Sequence, residues 1–332
     1  DDLDETIQNC INNEMLPMVC LWDATGKSFE SEEWNNCLNY WTHPQVMAVL
    51  KKHQKFLLLN IANEVGKNDI TNEQYKAAYK HAIDTLRKSG LHVPLVIDAS
   101  NWGRAERYIL DNAKHLIGHD PNKNLLFSWH PWDNSTSKTR VDNFFAQAEE
   151  DTIPIIVGEF SSTDVFGKQF ADPFIWRHIM QRCHEYENGY LPWWWASSKE
   201  NAIHEITHDR IYGNWANAPW GEEVAVSSEY SIQNTSVRPA PILGKECSST
   251  SSQIKPLKQV TIHPNPTKNE CRVKLPKHDR VNATLYNSVG MELNRYRKRN
   301  DFTVHLHSYA KGIYFLSVQN EHWNAQYKLI KE

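Results

Sequence analysis

Short apolar runs alternate with helical patterns along the first 195 residues of the chain. Runs of four to eight apolar residues without polar alternation are typical of strands buried on both faces of a parallel sheet. The predicted strands are Leu16–Trp22, Phe56–Glu64, Val93–Ser100, Leu125–His130, Ile153–Phe160 and Tyr190–Trp195. Apolar positions three or four apart predict helices at Asp1–Asn13, Ser31–Leu50, Tyr75–Ser89, Arg107–Ile117, Thr139–Glu149 and Phe174–Tyr186.

This alternation of strands and helices predicts an α/β fold with a parallel sheet and helical crossovers. A doubly wound sheet would also fit six strands, but no glycine-rich phosphate loop follows the first strand. Polar or aromatic residues instead lie at the end of every predicted strand: Asp23, Glu64, Asp98, Asn101, Trp102, His130, Glu159 and Trp195. Functional side chains at all strand ends favour a (β/α)8 barrel, of which two strand–helix units are not found.

The composition changes from Arg238 onwards. Residues 238–257 are rich in Pro and Ser, which predicts a linker. Residues 258–332 contain short alternating segments separated by turn residues, which predicts a small all-β sandwich. Its predicted strands are Gln259–His263, Cys271–Leu275, Ala283–Tyr286, Phe302–Leu306, Ile313–Val318 and Ala325–Ile330.

Composition and charge narrow the possible functions. The 332 residues include 40 acidic and 36 basic side chains without a long block of either sign, so no nucleic-acid-binding stripe is predicted. No run of 18 apolar residues predicts a membrane span, and the chain starts without a basic-then-apolar leader. The six cysteines lack metal-ligand spacing and leave both disulfides and buried thiols open. Of the 13 tryptophans, we expect some to fill the core and others to line a cleft in which their rings pack on the apolar faces of sugars.

The main candidates for catalytic residues are Glu64 and Glu159, which lie at the carboxyl ends of two different predicted strands. Glycoside hydrolysis needs one carboxylic acid to protonate the leaving oxygen and a second carboxylate as nucleophile or base. The two glutamates lie three strands apart in the predicted order, so both side chains can reach the centre of a barrel. Asn63 would bind a sugar hydroxyl, His130 would orient a carboxylate, and Trp195 would form the floor of a sugar subsite. The plainer interpretation of either glutamate alone is a helix cap or an ion-pair partner.

Several motifs together resemble glycoside hydrolase family 5, and most closely its bacterial endo-β-1,4-mannanases. They are WDATG (Trp22–Gly26), NIANE (Asn60–Glu64), LVIDASNWG (Leu95–Gly103), DPNKNLLFSWH (Asp120–His130), IVGEF (Ile156–Phe160), GYLPWWW (Gly189–Trp195) and NWANAPWGEEV (Asn214–Val224). The resemblance implies a catalytic barrel at residues 1–237, with its first two strands preceding Asp1. It implies Glu64 as acid/base and Glu159 as nucleophile, with no metal or other cofactor. Substrate-binding roles are implied for Asn63, His130, Trp132, Trp195, Trp102 and Trp22.

Two of these positions depart from the family pattern. Trp22 stands where histidine is usual, and Trp132 stands where a tyrosine normally hydrogen-bonds the nucleophile. An indole N–H can donate a hydrogen bond but cannot accept one as a phenol can. An arginine that supports the nucleophile in the family would lie upstream of Asp1.

The last segment resembles the C-terminal sorting domain of type IX secretion. The matching residues are HPNPTKNECRVKL (His263–Leu275), ATLYNSVGMEL (Ala283–Leu293), YAKGIYFLSV (Tyr309–Val318) and YKLIKE (Tyr327–Glu332). The resemblance implies export across an outer membrane by the type IX machinery, to the cell surface or the medium. An ordinary carbohydrate-binding sandwich is the alternative.

The expected function is cleavage of a β-1,4-linked polysaccharide by double displacement, with β-mannan as the favoured substrate. A first alternative is a β-1,4-glucanase of the same family. A second is a degenerate barrel that binds glycan without cleaving it. The absence of the family's arginine and the loss of its histidine at Trp22 favour this alternative.

Overall fold

The computed structural model describes residues 2–196, 203–244, 260–275, 281–287, 291–298, 301–320 and 324–332. The chain divides into two compact units, Asp1–Glu246 and Cys247–Glu332. Most of the predicted linker at 238–257 lies outside the described residues. Its described part carries a 3-10 turn, Ala240–Leu243.

A six-stranded parallel sheet forms the centre of the first unit, and its spatial order equals its chain order. The strands are β1 (Met18–Val19), β2 (Leu58–Asn60), β3 (Leu95–Asp98), β4 (Leu125–Trp129), β5 (Ile155–Phe160) and β6 (Gly189–Pro192). The predicted six-stranded partial barrel is confirmed, although the strands are shorter than the apolar runs. Because every strand points the same way, their carboxyl ends meet along one edge of the sheet.

Helices connect the strands and cover the sheet. They are α1 (Asp2–Asn12), α2 (Glu32–Thr42), α3 (Pro44–His53), α4 (Asn72–Lys88), α5 (Arg107–His119), α6 (Lys138–Glu150) and α7 (Ile175–Glu185), followed by the short α8 (Trp220–Glu222) and α9 (Ile232–Thr235). The helical stretch predicted around Ser31–Leu50 consists of two helices, α2 and α3, separated at His43. The backbone of His43 is extended (φ −58°, ψ 133°) because the ring of Pro44 disfavours helical geometry in the preceding residue.

Apolar side chains from the strands and helices form a continuous core in this unit. Strand β3 is buried along its whole length, as expected for a central parallel strand. The largest fully buried side chains include Trp34, Trp41, Trp129, Trp176 and Trp220. Burial of these rings accounts for much of the unusual tryptophan content, since each removes a large apolar area from water.

The second unit contains two antiparallel sheets that share one core, as predicted. One sheet has the order β10-β9-β12-β13 and the other β11-β8-β7. The strands are β7 (Thr261–His263), β8 (Glu270–Lys274), β9 (Val281–Asn287), β10 (Glu292–Lys298), β11 (Phe302–His305), β12 (Gly312–Gln319) and β13 (Asn324–Lys331). Strand β10 was not predicted, because its sequence ELNRYRK is too polar to show alternation.

Five described cysteines, Cys10, Cys20, Cys37, Cys183 and Cys271, carry free thiols. Of the two options that the sequence left open, the described part of the chain shows free thiols. Among the described residues, no helix combines the length and the apolar content that crossing a membrane requires.

Candidate active site

Glu64 lies four residues beyond the end of β2 rather than on the strand itself. Its backbone is in the left-handed region (φ 51°), which few non-glycine residues adopt. Two hydrogen bonds from neighbouring loops stabilise this conformation. The Glu64 N–H donates to Oδ2 of Asp98 at 2.9 Å, and the Glu64 carbonyl accepts from the Gly26 N–H at 2.9 Å. The residues after β1 and β3 therefore fix where this carboxylate points.

Asp98 ends strand β3 and is almost completely buried. Besides the Glu64 N–H, its carboxylate accepts a hydrogen bond from Nδ2 of Asn60 at 2.7 Å. The sequence predicts Asp98 near a strand end without a specific role. Its contacts make it an internal acceptor that links β2, β3 and the loop carrying Glu64.

Glu159 is the penultimate residue of β5 and is 7% exposed. Its Oε2 accepts a hydrogen bond from the indole N–H of Trp132 at 3.0 Å. The tryptophan that replaces the family's tyrosine thus reaches the same carboxylate, as a donor only.

His130 lies between the two glutamates. Its Nδ1 is 2.8 Å from Oε1 of Glu64 and 3.8 Å from Oε1 of Glu159. On the other side of the ring, Nε2 is 3.0 Å from Oγ of Ser128 and 3.7 Å from Oδ1 of Asp98. One oxygen from each glutamate and a ring nitrogen of His130 all lie within 4.8 Å of one another. We call Glu64, His130 and Glu159 the carboxylate–histidine cluster.

Two glycines allow the imidazole to occupy this position. A Cβ on Gly103 would come within 2.6 Å of Cγ and Nδ1 of His130. A Cβ on Gly158 would come within 2.1 Å of Ser128 Oγ and 2.6 Å of His130 Nε2. Because real Cβ atoms essentially never approach other atoms within 3.0 Å, His130 fits only where both positions lack a side chain.

The electrostatics of the carboxylate–histidine cluster depend on this packing. Burial disfavours the charged form of His130, but the carboxylates of Glu159, Asp98 and Glu64 outweigh it and raise the His130 pKa to about 10. Burial also raises the pKa of Glu159 to about 7, despite the opposing effects of His130 and the Trp132 N–H. At neutral pH His130 is therefore a cation, and Glu159 is close to the midpoint of its titration.

The remaining predicted residues lie around the cluster. Asn63 is buried and donates from Nδ2 to Thr25 Oγ1 at 3.3 Å. Trp22 is half exposed, with its ring 5.0 Å from that of Trp193. The ring of Trp195 is also exposed and lies 6.4 Å from that of Trp215.

Trp102 is half-buried, and the guanidinium of Arg104 lies 5.2 Å above its ring. Its indole closely approaches Gly26, where a Cβ would come within 2.3 Å of Nε1. Among the described residues, the structure joins His130, Trp132 and the two glutamates by hydrogen bonds. It does not connect Trp22, Trp102 or Trp195 to them in this way. Their roles in binding substrate stay predictions.

The cluster has the donor set of a divalent-cation site, with two carboxylates and one imidazole. A cation there would have to displace the proton that His130 holds at neutral pH. The expectation that no metal is required follows from the carboxylate chemistry and stays a prediction.

Sequence reasoning missed His204, which packs beside Trp132 with ring centroids 5.2 Å apart. Its Nδ1 also lies 3.2 Å from the hydroxyl oxygens of Ser161 and Thr163, which follow β5. His204 therefore helps to fix the indole that donates to Glu159. No strand or recognisable motif marks His204, so no sequence signal identifies it.

Comparisons with known proteins agree with this geometry. The family model described as cellulase (glycosyl hydrolase family 5) matches residues 1–202, and a model described as secretion system C-terminal sorting domain matches residues 261–332. A mannan endo-1,4-beta-mannosidase of Cellvibrio japonicus is 28% identical over 243 residues, covering 72% of this chain and 54% of the relative. A second, from Salipaludibacillus agaradhaerens, is 28% identical over 249 residues, covering 71% of this chain and 74% of the relative. The chain thus spans about half the length of the first relative.

Solved structures share the fold of the first unit. The mannohexaose complex of Thermomonospora fusca beta-mannanase aligns with a TM-score of 0.62 at 23% identity, over 73% of this chain and 78% of that chain. A beta-mannanase from Streptomyces thermolilacinus with mannohexaose aligns with a TM-score of 0.64 at 23% identity, over 73% of this chain and 77% of that chain.

Proposed function

The chain belongs to glycosyl hydrolase family 5, and from that premise we propose that it hydrolyses β-1,4-mannan with retention at the anomeric carbon. The observation that carries this proposal is the carboxylate–histidine cluster, in which oxygens of Glu64 and Glu159 lie within 4.8 Å of each other. A separation of about 5 Å suits double displacement, whereas inverting enzymes need about 6.5 to 9.5 Å to admit a water. The choice of mannan is supported by the relatives, which are named mannan endo-1,4-beta-mannosidases.

In this mechanism Glu159 attacks the anomeric carbon while Glu64 protonates the leaving oxygen. Glu64 then takes a proton from the water that hydrolyses the glycosyl–enzyme intermediate. His130 contacts both carboxylates, so its positive charge favours the ionised form that Glu159 needs for attack. The Trp132 N–H favours the same form by donating to Glu159.

The proposal is tested by replacing each carboxylate. We expect Glu64→Ala and Glu159→Ala to abolish the release of reducing ends from mannan without lowering the melting temperature greatly. For the wild type, proton NMR early in the reaction should show the β anomer of the new reducing end before mutarotation. Wild-type turnover in either variant, or an initial α anomer, contradicts the assignment. Parallel assays on carboxymethyl-cellulose separate mannan from glucan as substrate.

A second candidate function is glycan binding without cleavage. It is favoured by the raised pKa of Glu159, because a half-protonated carboxylate is a weaker nucleophile at neutral pH. It is also favoured by the indole at Trp132, which donates but cannot accept a proton. This function would be indicated if the wild type releases no reducing ends at any pH from 4 to 9 yet is retarded in gels that contain mannan.

We also propose that residues 261–332 direct export through the type IX secretion machinery to the cell surface or the medium. The match of this segment to a secretion system C-terminal sorting domain supports the proposal. Expression in a bacterium that has this machinery, with and without residues 261–332, tests it. Retention of both forms inside the cell would refute it.

A further inference from the structure

A cavity of about 350 Å³ opens beside the strand that carries Glu159. One wall is the loop after β5, including Ser162 and Thr163, which follow Glu159 closely along the chain. Another part of the wall is the segment at Asn217–Trp220, just before and at the start of α8. Its volume falls in the range of about 300 to 1,000 Å³ that small-molecule sites occupy.

The lining residues combine flat apolar surfaces with neutral hydrogen-bonding groups. Phe174 and Pro173 contribute apolar faces, while Gln169 and Asn217 contribute amides. None of the described lining residues is ionisable. A charged ligand would therefore find no group of opposite charge among the described lining residues, which disfavours its binding there.

A surface ion pair packs against the aromatic face. Phe174 directly precedes α7 and is 44% exposed. The guanidinium of Arg177 lies 4.1 Å above its ring and binds Glu223 through two hydrogen bonds of 2.7 Å. This bidentate ion pair fixes the guanidinium over one face of the ring. An aromatic surface that is already ordered loses little conformational entropy when a ligand stacks on it.

Part of the polar rim is available to a ligand. Thr163 and Asn217 are hydrogen-bonded within the protein, to His204 at 3.2 Å and to the Glu205 carbonyl at 3.0 Å. The side chains of Ser162 and Gln169 line the cavity, and neither donates or accepts a hydrogen bond within the described part of the chain. A rigid ring beside free hydroxyl and amide groups matches the two surfaces of a pyranose, its apolar C–H face and its hydroxyl edge.

We propose that this cavity is an accessory binding site for neutral pyranose units of a glycan chain, in addition to the carboxylate–histidine cluster. The choice of mannan as probe rests on the proposed function, whereas the existence of the site does not. The absence of ionisable lining groups excludes uronic acids as the preferred ligand. The site would hold a long glycan at the edge of the cleft, and short oligosaccharides bound at the cluster would not need it.

The test measures binding rather than cleavage. In a Glu159→Ala background of the full chain, retardation in gels containing linear mannan reports glycan affinity without hydrolysis. We expect Phe174→Ala to weaken the apparent affinity by about 3- to 10-fold, the amount that one stacking ring contributes. Gln169→Ala, which changes an exposed side chain, should weaken it about 2- to 5-fold. The matched control is Phe166→Ala, since Phe166 is 80% exposed on the same loop and does not line the cavity.

Loss of affinity in Phe174→Ala and Gln169→Ala, with Phe166→Ala unchanged, supports the site. Equal retardation of Phe174→Ala and its parent overturns the proposal, as does equal weakening by Phe166→Ala. Thermal melts confirm that each variant is folded. A wild type that releases no reducing ends refutes hydrolysis but leaves this binding test intact, so the two proposals fail separately.

Discussion

Replacing Gly158 by alanine tests whether close packing around His130 sets the geometry of the cluster. Gly158 lies on β5 directly before Glu159, and its φ is ordinary for any residue. The added Cβ would lie 2.1 Å from Ser128 Oγ and 2.6 Å from His130 Nε2. To reach even the 3.0 Å limit, the imidazole must move by 0.4 Å or more. Because Gly103 also packs closely against this ring, we expect little room for the imidazole to move, so that the strain remains in the site.

We expect Gly158→Ala to lower both the stability of the protein and its catalytic activity. Overpacking of this kind costs about 1 to 3 kcal/mol, which lowers the melting temperature by about 2 to 12 °C in a unit of this size. The 2.8 Å contact between His130 and Glu64 should lengthen. Because displacements of about 1 Å reduce catalysis about 100-fold, we expect kcat on mannan to fall by about 10- to 100-fold with a smaller change in KM.

Initial rates of reducing-sugar release and thermal melts, measured on the same preparations, check both effects. Gly118→Ala is the matched control, because a Cβ on Gly118 in α5 meets no atom within 4 Å. It should keep wild-type kcat and add about 0.5 kcal/mol of stability. Adding Ser128→Ala to Gly158→Ala removes the closest contact and should restore part of the stability. A folded Gly158→Ala variant with kcat within twofold of wild type would refute the reasoning.

Two further predictions concern charge. Trp132→Phe removes the N–H that lowers the pKa of Glu159. The acidic limb of the kcat/KM profile, expected near pH 7, should therefore shift to higher pH. An unchanged acidic limb would show that this hydrogen bond does not lower the pKa of Glu159. Arg87→Met leaves the buried carboxylate of Asp120 without the guanidinium that binds it at 2.9 and 3.0 Å, and should cost about 3 to 5 kcal/mol in the free energy of unfolding. The exposed pair of Arg295 and Glu292 provides the control, since water screens it and Arg295→Met should leave the free energy of unfolding almost unchanged in chemical denaturation. Equal losses in the two variants would contradict the prediction for Arg87.

The sequence predicted the strand order of the first unit well, because buried parallel strands appear as uninterrupted apolar runs. It overestimated their length, and β2 shows why. The run from Phe56 to Glu64 is apolar throughout its first part, but only Leu58–Asn60 pairs as a strand. The residues that follow turn inward to contact the loops after β1 and β3, and a pattern of hydrophobicity does not distinguish these contacts from a sheet.

The site was only partly predictable for a related reason. Glu64, His130 and Glu159 follow predicted strands and were found by that position. Asp98 was placed correctly near a strand end, but its role could not be predicted, because that role depends on a backbone N–H from the loop after β2. His204 gave no signal at all, since its importance arises from packing against Trp132 across the fold.

The hydrogen bonds of the Glu64 backbone limit how single loops of this protein can be exchanged by mutation. The Glu64 backbone is hydrogen-bonded to Gly26 on one side and to Asp98 on the other, so the orientation of this carboxylate, the proposed proton donor, depends on three separate segments. Replacing only one of these segments by the equivalent segment of a relative would change the orientation of the Glu64 carboxylate. Loop exchanges intended to change substrate preference should therefore transfer all three segments together.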